Sequence, residues 1–334
     1  MSFLAILIAL FAETLLPQAL LRRVKDMNSR FTAELEVDLA SLGAPRFTFL
    51  QWFIPVAIWV LGVYFLHDVM WQMGWFPALA FNIIVLLYGL RFWHLSEVFT
   101  TMALFLSQGD FFRARETFLD WVAYYNHTNP QVRTQRELIW QAVDHGVDRA
   151  LRQFFTLLFY YIILPGPTGV ALYIGVFWSV QREQQRWQIE DLMTEHLSLQ
   201  AHYEQNRLHA IFSPRYVLYI LEWVPARLLA LTWIVMGFAD DYSTLWREAR
   251  QHSPLSNRAP LAAVGLAAVG LKGSGVEPYV EKNDAEEVTE TTDDAGWNEL
   301  LALSAFRNLV FRSAVAWLAI AAILSMIRIP VPLN

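Results

Sequence analysis

The run Tyr216–Phe238, YVLYILEWVPARLLALTWIVMGF, limits the possible folds more than any other stretch. It is apolar and long enough to cross a bilayer, for which about 20 residues suffice. Yet Glu222, Pro225 and Arg227 sit near its middle. A charge facing lipid at that depth costs about 2.5–3.5 kcal/mol, so neither ionised side chain is expected to do so. Pro225 has no N–H for the Leu221 carbonyl, and its ring crowds that oxygen. The carbonyl must therefore find another partner, in protein or in water. The run is either a kinked span with one structural ion pair or a polar site buried between helices.

Composition widens this to the whole chain. Of 334 residues, 55% are hydrophobic and 17% charged, where soluble domains run to about 25% charged. Fourteen Trp and twelve Tyr suit rings at membrane interfaces. With no Cys, disulfides, thiolate metal sites and cysteine nucleophiles are excluded. Val276–Glu299 holds nine of the 31 acidic residues and one of the 25 basic ones. The rest of the chain is close to neutral, so the expected partner is a lipid bilayer and not nucleic acid.

Ser2–Leu21 is apolar apart from Glu13 and Gln18, and Arg22, Arg23 and Lys25 follow it. A cleavable signal carries its charge first. The stretch reads as a retained span with its N-terminus outside and its basic flank in the cytoplasm. Phe47–Leu66 and Phe76–Phe92 read as the second and third spans, with Arg91 marking the return to the cytoplasm. In Trp93–Asn126, apolar residues recur at helical spacing between charges. Gly109 interrupts the pattern and Asp110 is placed to cap the helix after it. Two amphipathic helices on the cytoplasmic surface are expected.

Gln135–Leu164 changes character midway. Glu137, Gln141, Asp144, His145, Asp148 and Arg152 fall on one helix face by their three- and four-residue spacings. Phe154–Leu164 is apolar, Pro165-Gly166-Pro167 turns the chain, and Gly169–Val180 is apolar again. Neither apolar half alone has the length of a span. Either the polar stripe enters the membrane lined by protein, which is the preferred reading, or the halves form a re-entrant hairpin. Ala239–Arg258 is polar, the acidic stretch beyond it has a linker's composition, and Asn308–Ile329 is the last span. The expected fold is all-α: a polytopic helical membrane protein with amphipathic cytoplasmic helices. Its parts are three N-terminal transmembrane helices (1–92), the amphipathic helices (93–153), a membrane hairpin with the Pro-kinked helix (154–238), a polar and acidic connection (239–307) and a C-terminal span (308–334).

No phosphate-binding loop, GxSxG, HExxH or dinucleotide glycine fingerprint occurs. Asp144, His145 and Asp148 are the one cluster with site chemistry. Carboxylates beside an imidazole can bind a divalent cation or move protons. The plainer alternative is a solvated face with Asp148–Arg152 as a favourable i,i+4 pair, and no metal or cofactor is assigned. Inside the spans, Glu13 and Arg227 each lie eleven residues from the start of their run. Intramembrane charges pair or face a polar cavity. The first span is therefore expected to pack on the Pro225 span, with Arg227 near Glu13 or Glu222 and beside the Leu221 carbonyl.

Four stretches, in order, carry a resemblance. EWVPARL at 222–228 resembles the WxPARL signature of the CobD/CbiB cobinamide-phosphate synthase superfamily and its AmpE branch. LSQGDFFRAR at 106–115 is similar to their LxxGDxxxAR stretch. LFYYIILPGPTGVALY at 158–173 resembles their Gly-rich hairpin, and REARQHSPLSN at 247–257 resembles their RDARKHPSPNAG loop. The synthases' acidic ENxxDG motif is here Asp148-Arg149-Ala150-Leu151-Arg152-Gln153, so its second acid is Arg152. Their RDTS loop reads Asn126-His127-Thr128-Asn129, and their NTLDSMxGY motif is replaced by Val176–Gln181. An Arg in place of an acid repels a cation.

The departures, the opening MSFLAILIAL and the acidic insert look more like the AmpE branch. That resemblance implies a bacterial inner-membrane modulator of β-lactamase induction. A cell-wall-derived ligand or a regulatory protein would be its partner, and it would be no enzyme. The alternative is a membrane amide-forming synthase of the cobinamide-phosphate type. A carrier is a third class, suggested only by buried charges and short broken helices.

Overall fold

The computed structural model of the chain describes residues 2–15, 48–125, 132–164, 166–193, 213–236, 242–252, 256–269 and 294–327. Among them helix is the only regular structure beyond turns. The helices are α1 (Ser2–Leu15), α2 (Thr48–Met73), α3 (Trp75–Gly89), α4 (Phe92–Ser107), α5 (Phe111–Tyr125), α6 (Gln135–Ala150), α7 (Thr156–Ile163), α8 (Thr168–Met193), α9 (Pro214–Met236), α10 (Tyr242–His252), α11 (Arg258–Ala268) and α12 (Asp294–Ile327). A π-helical turn, Leu151–Phe155, joins α6 to α7.

Four described stretches are long and apolar enough to cross a membrane: Phe49–Met73, Trp75–Ser107, Pro214–Met236 and Leu301–Met326. Large apolar side chains such as Phe65, Ile84, Val235 and Met326 stand exposed along them, as a lipid environment allows and water does not. The chain is an all-α, multi-pass membrane protein. The third apolar run extends to Ser107, past the Phe92 at which the sequence reading ends it. The helix itself breaks there, α3 closing at Gly89, Leu90 extended and α4 starting at Phe92. Only the first part of the expected span Ser2–Leu21 lies within the described residues, and the acidic stretch up to Asp293 lies outside them.

The chain divides into two compact units. One holds Met1–Arg91, Gln153–Val224 and Ala319–Asn334, and the other Phe92–Arg152 and Pro225–Leu318. In the first, α2 packs along α8 and α3, and α7 folds back on α8. Trp59, Tyr88 and Trp178 meet between them, Tyr88 standing edge-on to Trp178 at 5.0 Å, and the Trp59 indole donates to the Ala171 carbonyl at 3.1 Å. The indole N–H, costly to bury alone, is thereby satisfied. Helix α1 lies chiefly against α3 and also meets α7, so its main neighbour is not the Pro225 helix that the sequence suggested.

In the second unit α4 and α5 form a hairpin. Gly109 takes φ 75°, and the Asp110 carboxylate accepts the Arg113 N–H at 3.1 Å. The cap expected at Asp110 is therefore present. Helix α6 packs on α4, α5 and α11, and α11 on α10. The crossing point is Gly146, where an added Cβ would lie 2.7 Å from both the Phe99 and Phe306 rings. Both rings are fully buried, 5.3 Å apart between centroids. Only a residue without a side chain lets α6 come this close.

Candidate functional site

Helix α6 starts on a reciprocal cap. Thr134 accepts the Glu137 N–H at 3.2 Å, and Glu137 accepts the Thr134 and Arg133 N–H groups at 3.3 and 2.7 Å. This satisfies first-turn donors and sets the rotation of the polar stripe that follows. Asp144, His145, Asp148 and Arg152 come together as the spacing implied. The stripe is a solvated face only in part: Asp148 is 3% exposed, whereas the Asp144 side chain is 38% exposed.

Two ion pairs organise the cluster. Arg152 Nη1 lies 3.0 Å from Asp148 Oδ1 and donates a hydrogen bond to Oδ2 at 3.2 Å. Arg258, the first residue of α11, pairs its guanidinium with the Asp144 carboxylate. Burial raises the Asp148 pKa, but Arg152, Arg258 and Arg149 outweigh it and hold the carboxyl below its ordinary value. His145 goes the other way. Burial, reinforced by the Arg258 cation, lowers it to about 4 against the opposing pull of Asp144 and Asp148. It is neutral at pH 7, with its ring 5.8 Å from that of Phe118. Three guanidiniums therefore face two carboxylates and a neutral imidazole. That field disfavours a divalent cation and suits a clamp between α6 and α11.

Arg258 was not singled out in the sequence, because its partner lies 114 residues away. The signal was local and slight: a Ser-Asn pair before a small apolar helix. Ser256 Oγ accepts the Ala259 N–H at 3.2 Å and Asn257 is buried. The helix start thus fixes where Arg258 points.

The second polar place lies on α9. Glu222, 3% exposed, accepts a hydrogen bond from the Tyr173 hydroxyl at 2.9 Å. Next to it, the Tyr160 hydroxyl donates to the Leu221 carbonyl at 3.0 Å. This is the carbonyl that Pro225 cannot bond. The partner demanded by the sequence exists, but it is Tyr160 and not the expected Arg227. The rings of Tyr160 and Tyr173 lie nearly parallel, 6.2 Å apart. Both tyrosines lie in the hairpin stretch 158–173 that carries the resemblance, but neither was singled out as a polar partner, since each reads there as an ordinary apolar helix position.

Pro225 is buried within α9. The Arg227 guanidinium lies 5.6 Å over the Trp246 ring of α10, a cation–π contact. Glu13 is half-buried on α1. Glu13 and Glu222 belong to the first unit and Arg227 to the second. No protein-family model, no curated protein and no solved structure matches the chain.

Proposed function

We propose that the chain is an AmpE-type modulator of the bacterial inner membrane, tied to β-lactamase induction and responsive to a cell-wall-derived ligand or a regulatory protein. The observation that supports this over synthesis is the Asp148–Arg152 pair. Where the resembling synthases carry a second acid, this chain carries Arg152, which donates a hydrogen bond to Oδ2 of the Asp148 carboxylate and lies 3.0 Å from its Oδ1. A carboxylate spent on a guanidinium is a poor metal ligand or base. The clamp from α6 to α11 instead offers a joint that a ligand or partner can tighten or release.

The amide-forming synthase is the second reading. It is favoured by 106–115 and the described part of 247–257, two stretches that carry the resemblance, belonging to one unit, which also holds the PARL end of 222–228. Deletion of the gene separates the two, read by β-lactamase induction and by conversion of cobinamide precursors. Altered induction with cobinamide conversion intact is the expected result. Loss of the cobinamide product with induction unchanged refutes the modulator.

A further inference from the structure

We propose that the second unit seats an anionic phospholipid in the groove between α4 and α12. The groove is shallow and opens to the surface, about 270 Å³ with the open solvent at its mouth counted. Two phenylalanine pairs wall it: Phe92 with Phe311, 6.3 Å between centroids, and Phe99 with Phe306. Ser96 and Val310 line the space between them. Both walls belong to stretches apolar and long enough to cross a membrane, which gives acyl chains access to the groove.

Arg307 sits on the rim. Its Nη1 donates to Thr100 Oγ1 at 2.9 Å and its Nη2 to Asn308 Oδ1 at 3.4 Å. Both partners are neutral, and no carboxylate pairs with it among the described residues. A guanidinium has five N–H donors in a planar fork, so this one is held across the groove with donors and a full charge to spare. An apolar slot with a fixed cation at its mouth complements one lipid class: an acyl chain beneath a phosphodiester whose headgroup adds no positive charge. A zwitterionic headgroup brings its own cation against Arg307. Arg312, exposed on α12 but outside the groove lining, is a built-in control for general attraction of anionic lipid.

The test uses the purified full chain in detergent, offered phosphatidylglycerol and phosphatidylcholine in equal amounts, with retained lipid read by native mass spectrometry. Wild type retains phosphatidylglycerol preferentially. Arg307→Gln lowers that preference about tenfold, the loss of one charge-assisted contact, while Arg312→Gln leaves it. Ser96→Phe fills the groove and lowers phosphatidylglycerol retention with Arg307 still present. Unchanged preference in Arg307→Gln overturns the proposal, as does full retention in Ser96→Phe. Self-association abolished by Ser96→Phe, with lipid preference intact, makes a second copy the occupant and overturns it too.

Discussion

Tyr160→Phe tests whether the hydroxyl on the Leu221 carbonyl compensates for Pro225. The substitution keeps the ring, and with it the parallel arrangement on Tyr173, and removes only the 3.0 Å hydrogen bond. An orphaned buried carbonyl costs about 1–3 kcal/mol in soluble proteins. Side-chain hydrogen bonds within membranes average about 0.6 and reach about 1.7 kcal/mol. Tyr160 is only part-buried here, so a loss of about 1 kcal/mol is expected.

The informative step is the cycle with Pro225→Ala, which returns an N–H to position 225 and relieves the ring's crowding of the same carbonyl. In that background the Leu221 oxygen has a helical donor, and Tyr160→Phe costs a few tenths of a kcal/mol at most. Reversible unfolding of the purified protein in mixed micelles, titrated with SDS, gives all four free energies. Equal cost of Tyr160→Phe in both backgrounds refutes the reasoning, because the hydroxyl would then serve something other than the proline's orphan.

Two further outcomes follow from the second unit. His145 is held neutral down to about pH 4, against an ordinary value of 6.5. The unfolded chain binds its proton first, so stability is whole above pH 6.5 and falls as pH drops toward 4, by up to about 3 kcal/mol. Asp148 adds its own loss at lower pH, as its depressed pKa is passed. Unfolding measured across this window flattens in His145→Gln, and an unchanged slope removes His145 from the account. Gly146→Ala drives a methyl to 2.7 Å from the Phe99 and Phe306 rings. It costs about 1–3 kcal/mol, visible as a lowered melting temperature, and a variant as stable as wild type shows that the rings yield freely.

What the sequence disclosed was whatever lies along one helix. The apolar runs announced the spans, Asp110 announced its cap, and Asp148–Arg152 announced an i,i+4 pair. The orphaned Leu221 carbonyl was also legible, because Pro225 alone creates it. Its partner was not, since Tyr160 lies 61 residues away and periodicity carries no information about which tyrosine packs where. Arg258 and Trp246 escaped for the same reason. Arg91 reads as the end of a span, and a helix break does fall there, between Gly89 and Phe92; that its side chain is buried was not legible. Gly146 was passed over because a helical glycine earns its place from rings on other helices.

The pair Asp144–Arg258 also bears on sidedness. Simple alternation from an external N-terminus puts 93–153 in the cytoplasm and 239–307 outside. Yet Arg258 touches Asp144, and Gly265 lies so close to Trp233 and Val147 that a Cβ there would be 2.9 and 3.1 Å from them. No such contact spans a hydrocarbon core about 30 Å thick. Helices α6 and α11 are therefore expected to lie on one side. With no native Cys, Arg136→Cys and Gln251→Cys, both at exposed positions, are clean reporters. An impermeant maleimide should label both from the same side of sealed vesicles, and labelling from opposite faces refutes the shared side.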